Sequence, residues 1–248
     1  MLQGAACDFN TSRYEVVRAQ TALGSFPMVV WKDDDRVSHD IKRDGFWEWA
    51  SPQEMLDLSP SRVRLRSKGK GKSKSRLNAS VLLPGSLMLD IGAHIGYFSF
   101  LFSQYGHRVL AFEPMSGKRA AFNATCCLNP GLCDRIKIVP HALGNEQEKC
   151  IVHSSANNVG NGKLVCSNRL VGTCAKNPLC EKASARSLES CLDVQGSAQR
   201  ADIVKIDVEG QECAALRSAE RVFTTHRPRF FQVESNSAKS TRCVKAMA

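Results

Sequence analysis

The sequence predicts an α/β fold built on a mostly parallel sheet, and three stretches carry that prediction. Ser86 to Pro114 (SLMLDIGAHIGYFSFLFSQYGHRVLAFEP) reads as strand, glycine turn, helix and second strand. Ile136, Ile138 and Val139 supply a third apolar strand after a helix-length segment. Ala201 to Glu212 (ADIVKIDVEGQE) is a buried strand that leaves the sheet through two acids. Strands separated by helical segments favour crossover connections and therefore parallel pairing.

Residues 13 to 32 alternate loosely, with Tyr14, Val16 and Val17 before Met28, Val29 and Val30, and predict a hairpin around Gly24 and Pro27. Asp33 to Asp35 is an acidic turn, and Arg36 to Arg43 a helix with Val37 and Ile41 four apart. Gly45 to Trp49 (GFWEW) is dense in aromatics and reads first as a lid on the sheet edge. The sharper reading has Glu48 face the cofactor crevice. Ser51 to Leu58 carries helix-start signals: Ser51 as N-cap, Pro52 at the first position and Glu54 completing a capping box.

The formal charge of +10 suggests nucleic acid until it is located. Eight of the positive charges fall between Arg62 and Arg76, a stretch without acids, and the other 26 basic residues nearly balance 24 acidic ones. Residues 61 to 80 are low in complexity, with few apolar anchors to offset ordering entropy. They read as a solvated linker (61–82) between an N-terminal subdomain (1–60) and a catalytic domain (83–248), which argues against nucleic acid as a partner.

Within the central stretch, Leu87, Met88, Leu89 and Ile91 suit a strand buried on both faces. Gly92 and Gly96 bracket Ala93, His94 and Ile95, and residues without Cβ let the chain bend and a ligand approach. Ile95, Phe98, Phe102 and Tyr105 share a helical face, with Gly106 where a C-terminal cap belongs. Arg108 to Phe112 then delivers Glu113 to the carboxyl edge of the sheet, where open parallel sheets bind ligands. A carboxylate there accepts hydrogen bonds from both hydroxyls of a ribose. The pattern from Asp90 to Gly96 puts His94 where a dinucleotide fingerprint needs its middle glycine, and Asp90 sets a negative charge beside any phosphate. A phosphate-free, cationic cofactor fits better, and S-adenosylmethionine is one. An NAD-dependent dehydrogenase falls behind on the same ground.

A helix is predicted from Met115 to Leu128, ended by Pro130-Gly131. Past the third strand, Ala142 and Leu143 either line the adenine slot or simply pack a strand end. Lys149 to His153 and Lys163 to Cys166 predict a hairpin around Asn157 to Gly162, residues 167 to 182 a loop, and Leu188 to Val194 a helix. After the strand Ile203 to Ile206, capping of the helix Gln211 to Phe223 explains one of Asp207 and Glu209, but both less easily. Arg229 to Val233 is the fifth strand, ending at Glu234.

Eleven irregularly spaced cysteines show no paired C-x-x-C, so zinc is disfavoured and scattered free thiols in a reducing compartment are expected. No apolar run approaches the ~20 residues of a membrane span, and the first residues lack a signal-peptide pattern. These points favour the cytoplasm. Asn10, Asn78 and Asn123 each open an N-x-[ST] triplet, a pattern common by chance.

The succession of VSHDIKRDGFWEW, LDIGAHIGYFSF, AFEP, IVKIDVEGQE and FFQVE resembles the FkbM family of S-adenosylmethionine-dependent methyltransferases over residues 33 to 236. That resemblance implies a Rossmann-like class I methyltransferase fold, a three-layer sandwich with sheet order 3-2-1-4-5. It also implies O-methylation of a sugar, glycolipid or polyketide hydroxyl, so a small-molecule or glycan acceptor. By the same resemblance Asp90, Gly92, His94 and Gly96 line the cofactor turn, Glu113 holds the ribose, and Asp207 and Glu209 border the reacting centre. Two departures stand out: the basic insertion, and the stop 14 residues after Glu234, which leaves out a C-terminal strand pair and suggests a fragment with an exposed fifth strand. They favour a rival reading, a catalytically inactive module of the same fold that binds nucleic acid or a protein. The intact glycine turn and the Asp207/Glu209 pair favour the enzyme, which is the preferred expectation.

Overall fold

The computed structural model describes residues 7–32, 35–57, 64–66, 84–144, 148–155, 158–166, 174, 179–194, 201–220, 222–226, 228–234 and 242. The chain opens with an antiparallel hairpin, β1 (Tyr14–Thr21) and β2 (Gly24–Trp31). Helices α1 (Arg36–Asp44) and α2 (Pro52–Asp57) follow, then a short strand β3 (Arg64–Arg66). Next come β4 (Leu87–Ile91), α3 (Tyr97–Gln104), β5 (Arg108–Phe112), α4 (Ser116–Leu128), α5 (Pro130–Cys133) and β6 (Ile136–Val139). Strands β7 (Ala142–Leu143), β8 (Glu148–Ser155), β9 (Asn158–Cys166) and β10 (Cys180–Arg186) form a second sheet in the order β7-β10-β8-β9. The chain returns through α6 (Leu188–Val194), β11 (Ala201–Ile206), α7 (Glu212–Arg217), a π-helical turn over Val222–His226 and β12 (Phe230–Glu234).

The main sheet has the order β6-β5-β4-β11-β12-β3, and every neighbouring pair is parallel. Counted from β4, its first five strands run 3-2-1-4-5, as the sequence predicts. Side chains alternate between two cores. Met88, Val109, Ala111 and Ile203 join the cluster of α3, α4 and the hairpin. Leu89, Ile91, Leu110, Phe112 and Ile206 join the cluster of α6 and α7. Helices on both faces make three layers around a Rossmann-like sheet. Phe100 and Phe122 are wholly buried in the first cluster, 5.1 Å apart between ring centres, and such burial contributes about 2–3 kcal/mol per side chain.

Several sequence expectations give way to tertiary context. Arg64–Arg66 is not linker but a sixth strand, pairing with Gln232, Val233 and Glu234 of β12. The fifth strand is therefore covered there, because open edge groups demand partners. The rest of the basic segment, the acids Asp33 and Asp34, and Asn78 lie outside the described residues. Cys180 to Lys182, the end of the expected loop, open strand β10, which pairs antiparallel with β8, and Asn158 to Gly162, expected as turn, belong to strand β9. Pairing partners supply what the weak periodicity of these segments hid. Helix α4 ends at Leu128, before Pro130-Gly131 as expected, and Pro130 then opens the short α5, at a position where its missing N–H costs nothing. The helix predicted from Gln211 to Phe223 stops at Arg217 and resumes as the π-helical turn.

The free-thiol expectation is also corrected. Cys7–Cys127, Cys126–Cys133, Cys150–Cys166 and Cys174–Cys180 are disulfides, and Cys213 is bonded too. Spacing along the chain concealed this: Cys7 and Cys127 are 120 residues apart in sequence but 5.7 Å apart between Cα atoms. In the chain-entropy model a bridge over such a loop stabilises by about 4–5 kcal/mol. The thiol argument for the cytoplasm lapses with it. No described helix is long and apolar enough to cross a membrane.

Among the hydrogen bonds that tie the hairpin to the layered core, one is fully buried. The buried Val29 N–H donates to the Thr125 hydroxyl at 2.9 Å, and that hydroxyl donates to the Ala121 carbonyl one turn back. Thr125→Val strands the Val29 N–H and should cost about 1–3 kcal/mol, read as a lowered urea midpoint at unchanged slope. A loss under about 0.5 kcal/mol, the scale of an ordinary surface change, would show that the bond does not anchor the hairpin.

Candidate active site

The turn after β4 is fixed by its own backbone. Gly92 and Gly96 have φ of 81° and 89°. The N–H groups of Gly92 and Ala93 both donate to the Phe112 carbonyl at 3.0 Å. A Cβ on Gly92 would stand 1.8 Å from the Asp207 carbonyl oxygen, so no other residue fits. A Cβ on Gly96 would strike the Phe122 ring at 2.7 Å. The turn is thus pressed directly against the end of β11, where the Asp207 N–H donates to the Ile91 carbonyl at 2.9 Å.

His94 occupies the turn at φ 56°. Its backbone N–H donates to Glu113 Oε2 at 3.0 Å, and the Met115 N–H donates to Glu113 Oε1 at 2.8 Å. Lys118 Nζ lies 3.8 Å from the same carboxylate, which is buried. The His94 ring turns away toward α1, with Nε2 3.2 Å from Asp35 Oδ1. Asp35 caps α1 through the Ser38 N–H. Burial works against its charge, but His94 and Ser38 outweigh it and hold the carboxyl well below the usual range. Gly160 of β9 completes this contact: a Cβ there would fall 1.9 Å from Asp35 Oδ1 and 2.5 Å from His94 Nε2.

Beneath the turn, Asp90 and Lys205 are register partners on β4 and β11. Asp90 accepts from the Ser99 hydroxyl at 2.7 Å, and the Lys205 ammonium lies 5.0 Å from the Phe98 ring centre. Burial raises the Asp90 pKa. Burial alone would lower that of Lys205, but Asp207 and Asp90 raise it, so the ammonium stays charged. Lys205 Nζ is 3.4 Å from Asp207 Oδ2. Against its burial, Lys205 and a hydrogen bond from Glu234 hold Asp207 below the ordinary carboxylate range. Glu234 moves the other way, pushed up to about 7 by burial and by Asp207. Below about pH 7 the two carboxyls share a proton carried by Glu234. Glu209, at φ 51°, is raised by burial and by Asp207.

These groups border one cavity of about 1460 Å³. Ordinary single-ligand pockets run to roughly 300–1,000 Å³, so this one is larger than a single small ligand requires. Of the residues singled out in the sequence, Gly92, His94, Glu113, Ala142, Leu143, Glu48, Asp207 and Glu209 line it. Gly96 stands behind the turn and Asp90 below it, supporting the wall without lining it. Glu48 lies near Lys205 and Glu234, at the acid pair instead of the Glu113 end. Glu234, Lys205, Asp35 and the asparagines Asn158 and Asn161 are additional to the sequence reading. Glu234 ends its strand just as Asp207 does, and Lys205 interrupts an apolar strand, so both left a signal. Asp35 and the asparagines left none, because hairpin and helix meet only in the fold.

The model of the methyltransferase FkbM domain matches residues 90–245, more than half of the sequence. The chain belongs to the FkbM methyltransferase family. Among solved structures, this FkbM chain is similar to the methyltransferase FkbM from Methylobacillus flagellatus KT, at 18% identity and a TM-score of 0.41. That match covers 61% of this chain and 33% of the other. It is also similar to the C-terminal domain of precorrin-6Y C5,15-methyltransferase from Rhodobacter capsulatus, at 13% identity and a TM-score of 0.38, covering 66% and 61%. The chain thus spans about a third of the length of the first and less than two thirds of the second. No curated protein matches.

Removing the buried cation tests this arrangement. Lys205→Met leaves Asp90 and Asp207 facing each other without a counter-charge, and breaking a buried pair costs about 3–5 kcal/mol. Chemical denaturation at pH 7 should show a loss of that order, and a near-neutral change would mean that Lys205 does not balance the acids.

Proposed function

We propose that this chain is an S-adenosylmethionine-dependent methyltransferase acting on a hydroxyl of a small molecule or glycan, with the Asp207–Glu234 pair taking the hydroxyl proton. The observation that carries the proposal is the position of that pair, in the same cavity as the glycine turn and Glu113. The residues present suit the cofactor. Acids around the turn are Asp35, Glu113 and Asp207, while Lys118 and Lys205 are already paired with acids. Such surroundings repel a pyrophosphate and accept a cation. Each Glu113 oxygen takes one backbone N–H and keeps a lone pair for a sugar hydroxyl. Glu113 would hold the ribose, Gly92 and His94 the turn beside it, and Ala142 and Leu143 the adenine slot.

When bound, S-adenosylmethionine supplies an electrophilic methyl group on a sulfonium. The chain's part is to orient the acceptor, exclude water and move a proton. Holding the reacting atoms in line accounts for much of the acceleration in such transfers. An alcohol is a poor nucleophile until its proton begins to leave, and a base with a pKa near the working pH assists most. Asp207 alone is too acidic for that role. The pair is suited to it, because once the shared proton departs near pH 7 its next proton binds strongly. Glu209 borders the same position, and Glu48 faces the pair from the N-terminal segment.

Activity should therefore rise as pH increases through about 7, since loss of the shared proton creates the base. Glu234→Gln should flatten that rise and lower turnover by about 100-fold or more. Asp207→Asn removes the charge that lifts Glu234, so the rise should shift to lower pH while turnover also falls. Wild-type kcat and pH profile in both variants would remove the pair from the mechanism. Calorimetry should show S-adenosylhomocysteine binding to wild type and both variants, and NAD binding to none. Cofactor binding without turnover on any hydroxyl acceptor would favour the binding-module reading.

A further inference from the structure

We propose that this chain matures in an oxidising compartment and carries an N-linked oligosaccharide on Asn10. Nothing in the methyl-transfer reading requires this; it stands on the cysteines and on one exposed triplet.

Nine described cysteines are disulfide-bonded, and Cys191 keeps a buried thiol. The bridges are spread over the molecule. Cys7–Cys127 pins the N-terminal segment to α4, Cys126–Cys133 joins α4 to α5, and Cys150–Cys166 links directly opposed residues of β8 and β9. A redox-active protein has one reactive pair in an electropositive setting, whereas dispersed bridges that brace separate elements are a structural framework. Cytosolic reductants keep such thiols reduced, so a framework of this density belongs where disulfides persist.

The same compartments attach glycans to Asn-x-Ser/Thr triplets. Asn10-Thr11-Ser12 stands three residues after Cys7, and the Asn10 side chain is exposed. Its Oδ1 accepts from the Ser12 N–H at 3.0 Å and from the Ser12 hydroxyl at 2.6 Å. Those bonds use the oxygen and leave the amide nitrogen out of them, with the hydroxyl of the triplet beside it. No residue from 7 to 32 is among those lining the cavity, so a glycan here leaves its mouth clear. Asn123 makes an instructive contrast. It is exposed on α4, but the Thr125 hydroxyl of its triplet is buried between Ala121 and Val29, and the folded chain cannot present it.

Both steps balance with named co-reactants. Each disulfide forms as two thiols give up two protons and two electrons to an exchanging protein disulfide. The glycan is transferred from a lipid-linked diphosphate oligosaccharide. Asn10 Nδ2 bonds to the anomeric carbon, the lipid diphosphate leaves, and the amide gives up one proton.

The test uses protein from the cells that make it, with thiols alkylated before lysis. Peptide N-glycosidase digestion in heavy-oxygen water should return the Asn10 peptide as labelled aspartate. Cys7 and Cys127 should appear as a cross-linked peptide carrying no alkyl group. Asn10→Gln should remove one glycosidase-sensitive step in electrophoretic mobility. A bare Asn10 beside a bonded Cys7–Cys127 would overturn the glycan. Alkylated Cys7 and Cys127 would overturn the compartment and the glycan together.

Discussion

Lys205 stands in register with Asp90 on the adjacent parallel strand and 3.4 Å from Asp207, and the site depends on that buried ammonium. An ammonium at the centre of a sheet is costly unless carboxylates neutralise it. Asp90 does so from below and Asp207 from the strand end, with Phe98 closing over the ammonium. The lysine thereby keeps Asp207 ionised although it is largely out of water. An ionised Asp207 in turn keeps a proton on Glu234. A charge buried in the core thus sets the protonation of a carboxyl at the rim.

The glycine turn and the acid pair are parts of one construction. Because the Asp207 carbonyl stands where a side chain on Gly92 would be, the turn touches the end of the strand that leads into Asp207. The Asp207 N–H, bonded to Ile91, sets the same spacing from the other direction. Close backbone packing at the carboxyl ends of β4 and β11 therefore fixes the distance between the glycine turn and the acid side of the cavity. Side chains alone, with their rotamer freedom, would hold that distance less well.

Much of this was legible in the sequence. Short apolar strands, the two glycines and the position of Glu113 follow from local pattern, and all lie within contiguous stretches. Asp207 was visible because an acid at the end of a buried strand is expensive. Glu234 has the same signature, yet its meaning depends on Asp207 standing beside it, which only the pairing of β11 with β12 provides. The disulfides were illegible for the same reason, since Cys7 meets Cys127 only after hairpin and helix have packed. Strands β3, β9 and β10 carry weak periodicity and become strands through their partners, a case of tertiary context overriding local preference.

Three distant parts of the chain converge where Gly160 fits against Asp35 and His94. One belongs to the helix after the opening hairpin, one to the glycine turn and one to the second sheet. The cavity wall there is consequently a joint property of pieces that are far apart in the sequence. Only a hydrogen atom fits at Gly160 between Asp35 and His94. A change of backbone position in any one of the three pieces must therefore be matched by the other two, or be confined to side-chain tips that leave the junction untouched.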